Sequence, residues 1–141
     1  MSESIIDAET VQAYRETEYR VHGDEPFTLR VGEMSLALGA AQRLRRVDCS
    51  AFVTAYNPFS QTLNEHANAA RHEALRLEID RRGHDYVAGI GQHPSNQWPG
   101  EASYLIFGLS LEAAKELGIQ LEQNAIIWAG ADAVPQLILL R

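Results

Sequence analysis

Residues 86–109 read YVAGIGQHPSNQWPGEASYLIFGL. Two runs rich in apolar, β-branched and aromatic residues, 86–91 and 103–109, flank a polar loop that contains two prolines. Such runs are typical of strands, and two strands in succession without a helix predict a hairpin with a long loop. A fold that strictly alternates strands and helices is therefore disfavoured.

Outward from this hairpin, residues 51–129 predict the order strand, helix, strand, strand, helix, strand. This is the order of a ferredoxin-like βαββαβ core, an α+β fold. The alternative is a three-layer α/β fold, in which a strand at 27–31 and a helix at 34–46 begin a parallel run. The hairpin favours the first fold.

The first strand and first helix of this core have clear patterns. AFVTAY at 51–56 predicts a strand that is covered on both faces and central in the sheet. A helix follows at 61–82, and Gly83 is expected to end it in the left-handed conformation. Spacings of four and three predict one apolar stripe along this helix, made of Leu63, Ala67, Ala70, Ala74 and Leu77.

With 141 residues, the chain has the usual length of a single domain, 1–141. Its core is 51–129, its C-terminal strand is 134–140, and its N-terminal extension, 1–50, predicts helix, strand, helix. The first helix is expected over DAETVQAYRETEYRV with Asp7 as its cap. In the core, the second helix is expected from the Ser110 cap to Gly118.

The composition disfavours several classes of protein. No stretch approaches the roughly 20 apolar residues of a membrane span, and the opening residues lack an export signal, so we expect a cytoplasmic protein without membrane contact. Cys49 is the only cysteine, which excludes a disulfide framework. The net charge of -7 disfavours nucleic acid as a partner, despite Tyr56, Phe59 and Trp98 as stacking surfaces.

Polar residues follow or precede the predicted strands at one edge of the sheet. Right-handed crossovers would bring the ends of the first two core strands together with the starts of the last two. The positive end of the first core helix and the guanidinium of Arg71 would favour an anion there. We therefore expect a small polar or anionic ligand, such as a nucleotide, phosphate or carboxylate. The expected ligand-binding residues are Asn57, Ser60, Asn64, Asn68, Arg71, Trp98, Glu101, Gln123 and Asn124.

Each of these residues also has a purely structural interpretation. Gln123 and Asn124 are suited to satisfy backbone groups where a helix turns into a strand, and Glu101 is typical of an ordinary carboxylate at a sheet edge. Asn57 precedes Pro58, which favours an extended backbone and a turn, and Ser60 is a candidate helix cap. The polar residues of the following helix are equally typical of a solvated face. Trp98 is expected to pack against the core more often than to line a cavity.

The sequence gives only weak candidates for catalysis, so enzyme status stays uncertain. Glu101 is the best general acid or base, and Ser60 with His93 is a nucleophile and base pair without a nucleophile-elbow motif. His66 and His72 are six residues apart, which places them on different helix faces, so no metal site is expected. Glycine fingerprints of cofactor sites are absent, and no cofactor is expected.

Several segments in order, AFVTAYNPFS, NAAR, GEASYLIFGL and QNAIIWAG, resemble an uncharacterised bacterial family, domain of unknown function 3293. The similarity covers most of 14–132, and it implies no established activity, substrate or catalytic residue. His66 and His72 are a departure at positions expected to vary. The polar positions characteristic of the family would be Asn57, Pro58, Ser60, Asn68, Arg71, Trp98, Glu101, Gln123 and Asn124.

A second functional class stays open alongside ligand binding. A ferredoxin-like sheet has one face covered by helices and another that is free to pair with a copy of itself or a partner. The apolar strands AIIWA and QLILL would belong to that face. The alternative function is therefore a non-catalytic protein-interaction module, for example a homodimer.

Overall fold

A computed structural model describes residues 4–95 and 97–141 of the chain. In this part of the chain, seven strands form one sheet and four helices pack around it. The strands are β1 (Glu18–Val21), β2 (Phe27–Leu29), β3 (Ser50–Thr54), β4 (Tyr86–Gln92), β5 (Glu101–Phe107), β6 (Ala125–Ala129) and β7 (Gln136–Leu139). The helices are α1 (Ala8–Glu16), α2 (Leu36–Leu44), α3 (Glu65–Arg82) and α4 (Leu111–Gln120).

The sheet has the order β2-β1-β4-β5-β3-β6-β7, and every neighbouring pair is antiparallel. The fold is therefore α+β, and the alternative with a parallel run is wrong. β4 and β5 form the expected hairpin, in which Gly91 pairs with Glu101. β3 lies between β5 and β6, and its last residue, Thr54, lies opposite Ser103 of β5.

Each face of the sheet carries its own apolar core. Along β3, Ala51 and Val53 point toward α3 and α4, where they pack with Leu75 and Leu117. Phe52 points to the other face, into a second core made of Tyr19, Val21, Leu29, Leu38, Phe52, Leu105, Phe107, Ile127, Ala129 and Ala133. The second face was expected to be free for a partner, but this core covers it.

The sheet is curled so that its two edges approach each other. After β2, the Gly32 N–H donates to the Pro135 carbonyl at 2.8 Å, and the Ser35 N–H donates to the Ala133 carbonyl at 2.9 Å. Both acceptors precede β7, the strand at the opposite edge. The curl makes the second face concave, and α2 starts at the junction with Ser35 as its cap.

Three helix boundaries confirm the sequence prediction. The Asp7 carboxylate accepts the Thr10 N–H at 2.8 Å at the start of α1, and Ser110 caps α4. Gly83 ends α3 with a φ of 77°, a left-handed conformation that glycine adopts at little cost.

Gly118 does not end the second core helix, so that prediction is wrong. α4 continues through it to Gln120. A side chain at this position would meet Leu140 at 2.5 Å and Ile126 at 2.8 Å. Glycine is therefore needed here because the helix and the sheet approach each other closely, and not because the helix ends nearby.

The first strand was missed, because residues 18–21 were assigned to the N-terminal helix. α1 ends at Glu16, and β1 pairs with both β2 and β4. Tyr19 and Val21 are buried in the concave core, while Arg20 between them is exposed. The extension is therefore helix, strand, strand, helix.

The predicted apolar stripe of the long helix is also wrong. α3 begins four residues later than expected, and its buried residues are Asn68, Leu75 and Ile79. Leu77 is 56% exposed. The buried residue nearest the start of the helix is therefore polar, and Asn68 fixes the position of this end of the helix on the sheet.

None of the helices in residues 4–95 and 97–141 is both long and apolar enough to cross a bilayer.

Candidate functional site

A cavity of about 550 Å³ opens at the end of the concave face where β3 finishes. Its floor is formed by side chains of the sheet, including Phe52, Ile127 and Leu137. One wall is α1, and another is the loop between β4 and β5. Six of the nine predicted ligand-binding residues line it, namely Asn57, Ser60, Trp98, Glu101, Gln123 and Asn124.

Asn57 is the centre of the polar wall. Its Nδ2 donates to Glu101 Oε2 at 2.8 Å, and its Oδ1 accepts from the Leu63 N–H at 3.0 Å and from Asn68 Nδ2 at 2.8 Å. Asn68 Oδ1 in turn accepts the Asn57 N–H at 2.9 Å. One amide therefore joins the end of β3, the start of β5 and the first turn of α3.

The backbone around Asn57 is strained rather than extended. Asn57, Phe59 and Ser60 have φ values of 47°, 52° and 60°. Positive φ is uncommon outside glycine, and three such residues within four positions need support from their surroundings. Part of that support is a 2.6 Å hydrogen bond from the Phe59 N–H to the Glu122 carbonyl. The extended conformation expected before Pro58 is wrong.

Ser60 and Asn124 connect the sheet to α1. Ser60 Oγ and Tyr14 Oη share a hydrogen bond of 2.8 Å, and Asn124 Nδ2 donates to both oxygens at 3.0 and 3.1 Å. Arg141 donates to Asn124 Oδ1 at 3.0 Å. Ser60 therefore does not cap the following helix, and Asn64 has that role.

Glu101 is the only carboxylate on the inner wall among the described lining residues. Burial raises the pKa of Glu101, and the hydrogen bond from Asn57 opposes this rise with a smaller effect. A carboxyl group with a raised pKa in a cavity is suited to proton transfer or to binding a hydrogen-bond donor.

Trp98 and His93 form the rim on the hairpin side. Trp98 is 52% exposed, so the expected packing against the core is wrong. Its ring packs edge-on against the His93 ring, with 4.7 Å between the ring centroids. His93 contacts Ser95 through Nδ1 and Glu16 through Nε2, while Ser60 contacts Tyr14 and Asn124. The candidate nucleophile and base therefore share the cavity but not a hydrogen bond.

Three predicted site residues lie outside the cavity lining. Asn64 caps α3 by accepting the Ala67 N–H at 2.8 Å, and Asn68 is buried behind Asn57. Arg71 donates through Nε to the Ala55 carbonyl at 2.7 Å and through Nη2 to the Leu121 carbonyl at 2.5 Å. These side chains position the wall of the cavity, and the guanidinium is not presented to a ligand.

The contribution of α1 to the site was missed in the sequence. Thr10, Ala13, Tyr14 and Thr17 line the cavity. Their spacing of three, one and three is that of one helix face, which was the available signal. It was overlooked because the face contacts residues more than forty positions away, as in the pair of Tyr14 and Ser60.

Within the described ranges, no group of three or more His, Cys, Asp or Glu side chains is arranged to hold a metal ion.

Fold and site together define an α+β protein with a polar cavity at one end of a curled antiparallel sheet. The chain belongs to the family described as Protein of unknown function (DUF3293), whose model matches residues 53–126. This confirms the resemblance seen in the sequence. Comparisons with curated proteins and with solved structures gave no match.

Glu101→Gln should change how stability depends on pH. The native state holds the Glu101 proton more tightly than the unfolded chain, because its pKa is raised above the ordinary 4.5. The free energy of unfolding therefore falls as pH rises from that value through the raised pKa. Glutamine keeps the acceptor for Asn57 and removes this loss. The advantage of the variant should grow with pH and then level off.

Urea unfolding of both proteins between about pH 4 and pH 8 measures this difference. Glu9→Gln removes an exposed carboxylate from the rim and controls for the change in net charge. An advantage of Glu101→Gln that is constant with pH would contradict the prediction.

Proposed function

We propose that this protein binds a small polar molecule in the cavity at the end of β3. The observation that carries the proposal is the convergence of Asn57, Glu101, Gln123 and Asn124 on one cavity of about 550 Å³. Known small-molecule sites are mostly apolar clefts of about 300–1,000 Å³ with a few placed polar groups. This cavity has an apolar floor and one polar wall, which is the same arrangement.

We also propose that the core of the fold is ferredoxin-like. The order β4-β5-β3-β6 with antiparallel neighbours supports this, as does the position of α3 and α4 between the strands in sequence. On this view β1, β2 and β7 extend the sheet at both edges and curl it around the cavity.

The strain at Asn57, Phe59 and Ser60 also supports a functional site. Unfavourable backbone conformations cluster at active and binding sites, where surrounding contacts hold them in place. Here two of the three residues, Asn57 and Ser60, line the cavity. If a bound substrate reacts, we propose Glu101 as the group that transfers the proton.

The anionic ligand expected from the sequence has lost its main support, because Arg71 is occupied by two backbone carbonyls. The protein-interaction module has lost support too, because the sheet face that was to pair with a partner is covered. Ligand binding is therefore the function we favour.

Gly91→Val tests the proposal by narrowing the cavity while every side chain of the polar wall is kept. Gly91 lines the cavity, and a Cβ added there would make ordinary contacts of about 3.7 Å with Thr17 and Tyr19. Ala88→Val is the matched control, since Ala88 is an exposed residue of the same strand on the opposite face.

A thermal-shift screen would compare both variants with the unmodified protein. Its probes would be nucleosides, sugar phosphates, carboxylic acids and amines. A probe at about a hundred times its dissociation constant adds about 2.7 kcal/mol of stability, which is several degrees at this size. We expect hits that persist in Ala88→Val and vanish in Gly91→Val. Silence across the screen, or hits unaffected by Gly91→Val, would refute the proposal.

A further inference from the structure

The charge of the cavity restricts what it can bind. Among the described residues that line it, none is lysine or arginine, whereas Glu101 lies on the inner wall and Glu9 at the rim. The basic groups at the cavity have other partners. His93, which is in the lining, contacts Glu16 through Nε2. Arg71 donates to backbone carbonyls, and Arg141 donates to Asn124 while its guanidinium lies over the Phe59 ring at 4.2 Å. An anion bound here would face a carboxylate without a compensating cation.

The hydrogen-bonding capacity of the inner wall has the same bias. Thr54 Oγ1 donates to the Ala102 carbonyl and Ser103 Oγ to the Glu101 carbonyl. Gln123 Nε2 donates to the carbonyls of Tyr56 and Leu121. The Asn124 amide donates to two hydroxyl oxygens of the protein. These donors are therefore used internally, so a ligand that brings its own N–H donors is favoured at the inner wall.

Acceptor oxygens on the same wall are left available. Glu101 Oε2 accepts from Asn57, whereas Oε1 has no hydrogen-bond partner within the described part of the chain. Gln123 Nε2 donates hydrogen bonds to two carbonyls, and Gln123 Oε1 likewise has no hydrogen-bond partner within the described part of the chain. Two acceptors on one wall, one of them a carboxylate oxygen, suit a group with several N–H donors.

Aromatic rings also line the cavity. Tyr14, Tyr19, Phe52 and Trp98 all line the cavity. The faces of aromatic rings attract cations, most strongly where water is displaced. Rings beside a partly buried carboxylate are therefore compatible with a positively charged ligand and give an apolar body a surface to pack on.

Building on the proposed function, we propose that the ligand is an organic amine whose protonated nitrogen binds Glu101 while its apolar or aromatic body lies on the floor of Phe52, Ile127 and Leu137. The ammonium N–H groups donate to Glu101 Oε1 and Gln123 Oε1. The site thereby selects for charge at its inner wall and for apolar area at its floor.

Three probes that share an indole ring and differ at the end of the side chain test this directly: tryptamine, tryptophol and indole-3-acetate. Their affinities would be measured by calorimetry for the unmodified protein and for Glu101→Gln, Gly91→Val and Glu116→Gln, which removes an exposed carboxylate of α4 outside the cavity lining. A charge-assisted hydrogen bond predicts that tryptamine binds about 10- to 100-fold more tightly than the other two. Glu101→Gln should remove this preference, Glu116→Gln should keep it, and Gly91→Val should abolish binding of all probes.

The outcomes separate this inference from the proposed function. The amine proposal would be overturned if tryptophol or indole-3-acetate bound as tightly as tryptamine or more tightly. It would also be overturned if the preference for tryptamine survived in Glu101→Gln. In both cases, sensitivity to Gly91→Val would leave the cavity as a binding site. If none of the three indoles binds, the amine proposal is overturned. The proposed function falls as well if the wider screen is silent or if its hits are unaffected by Gly91→Val.

Discussion

Asn57→Ala should lower the free energy of unfolding by about 3–5 kcal/mol. The substitution removes the acceptor of the Leu63 N–H and the donor to Glu101 Oε2, and it leaves Asn68 Nδ2 with only the Leu63 carbonyl at 3.3 Å. Buried polar groups deprived of a partner cost about 1–3 kcal/mol each. Alanine also tolerates the φ of 47° less well than asparagine does. Chemical unfolding monitored by circular dichroism gives the value.

Asn57→Gly separates the two causes, because glycine accepts positive φ but has no amide. We expect it to recover about 1 kcal/mol relative to alanine and to remain clearly destabilised. A loss below about 1 kcal/mol for Asn57→Ala would mean that the amide network contributes little to stability, contrary to the role inferred here.

Arg71→Met should cost about 2–4 kcal/mol. The guanidinium, 28% exposed, joins the Ala55 carbonyl after β3 to the Leu121 carbonyl at the end of α4. Methionine fills similar space but leaves both carbonyls without this donor. Thermal or urea unfolding measures the loss, and Arg71→Lys should lie between the two proteins because an ammonium has no planar fork to span both acceptors.

The ion pair of Arg71 with Glu122 is a separate and smaller effect. The two groups are 3.8 Å apart, and Glu122 is 51% exposed. Glu122→Gln should therefore change the free energy of unfolding by less than about 1 kcal/mol. If Glu122→Gln and Arg71→Met cost the same, the carbonyl contacts would not be the source of stability at this position.

Features encoded by neighbouring residues were predictable from the sequence. Asp7 and Gly83 mark helix ends because capping depends on the residue and the turn beside it. The hairpin of β4 and β5 followed from two strand-like runs without a helix between them. Topology then placed Asn57 and Glu101 at one edge of the sheet, where the structure shows them in contact.

Features that depend on distant contacts were not predictable in the same way. Residues 18–21 alternate polar and apolar side chains, which is a strand pattern, but four residues directly after a helical segment are too few to identify a strand by pattern alone. Their strand β1 is fixed by hydrogen bonds to β2 and β4 on both sides. The charge of Arg71 suggested an anion site, but its partners are carbonyls 16 and 50 residues away. A single sequence shows the guanidinium, while the acceptors it satisfies are fixed by tertiary structure.

The closure of the curled sheet has a consequence for behaviour at high concentration. Exposed edge strands are templates on which further chains add, and this is a common route to aggregation. Here the two edge strands have only three and four residues, and the segments beside them, at Gly32 and Pro135, are bonded to each other. The same curl that shapes the cavity thus shields the protein from edge-to-edge polymerisation.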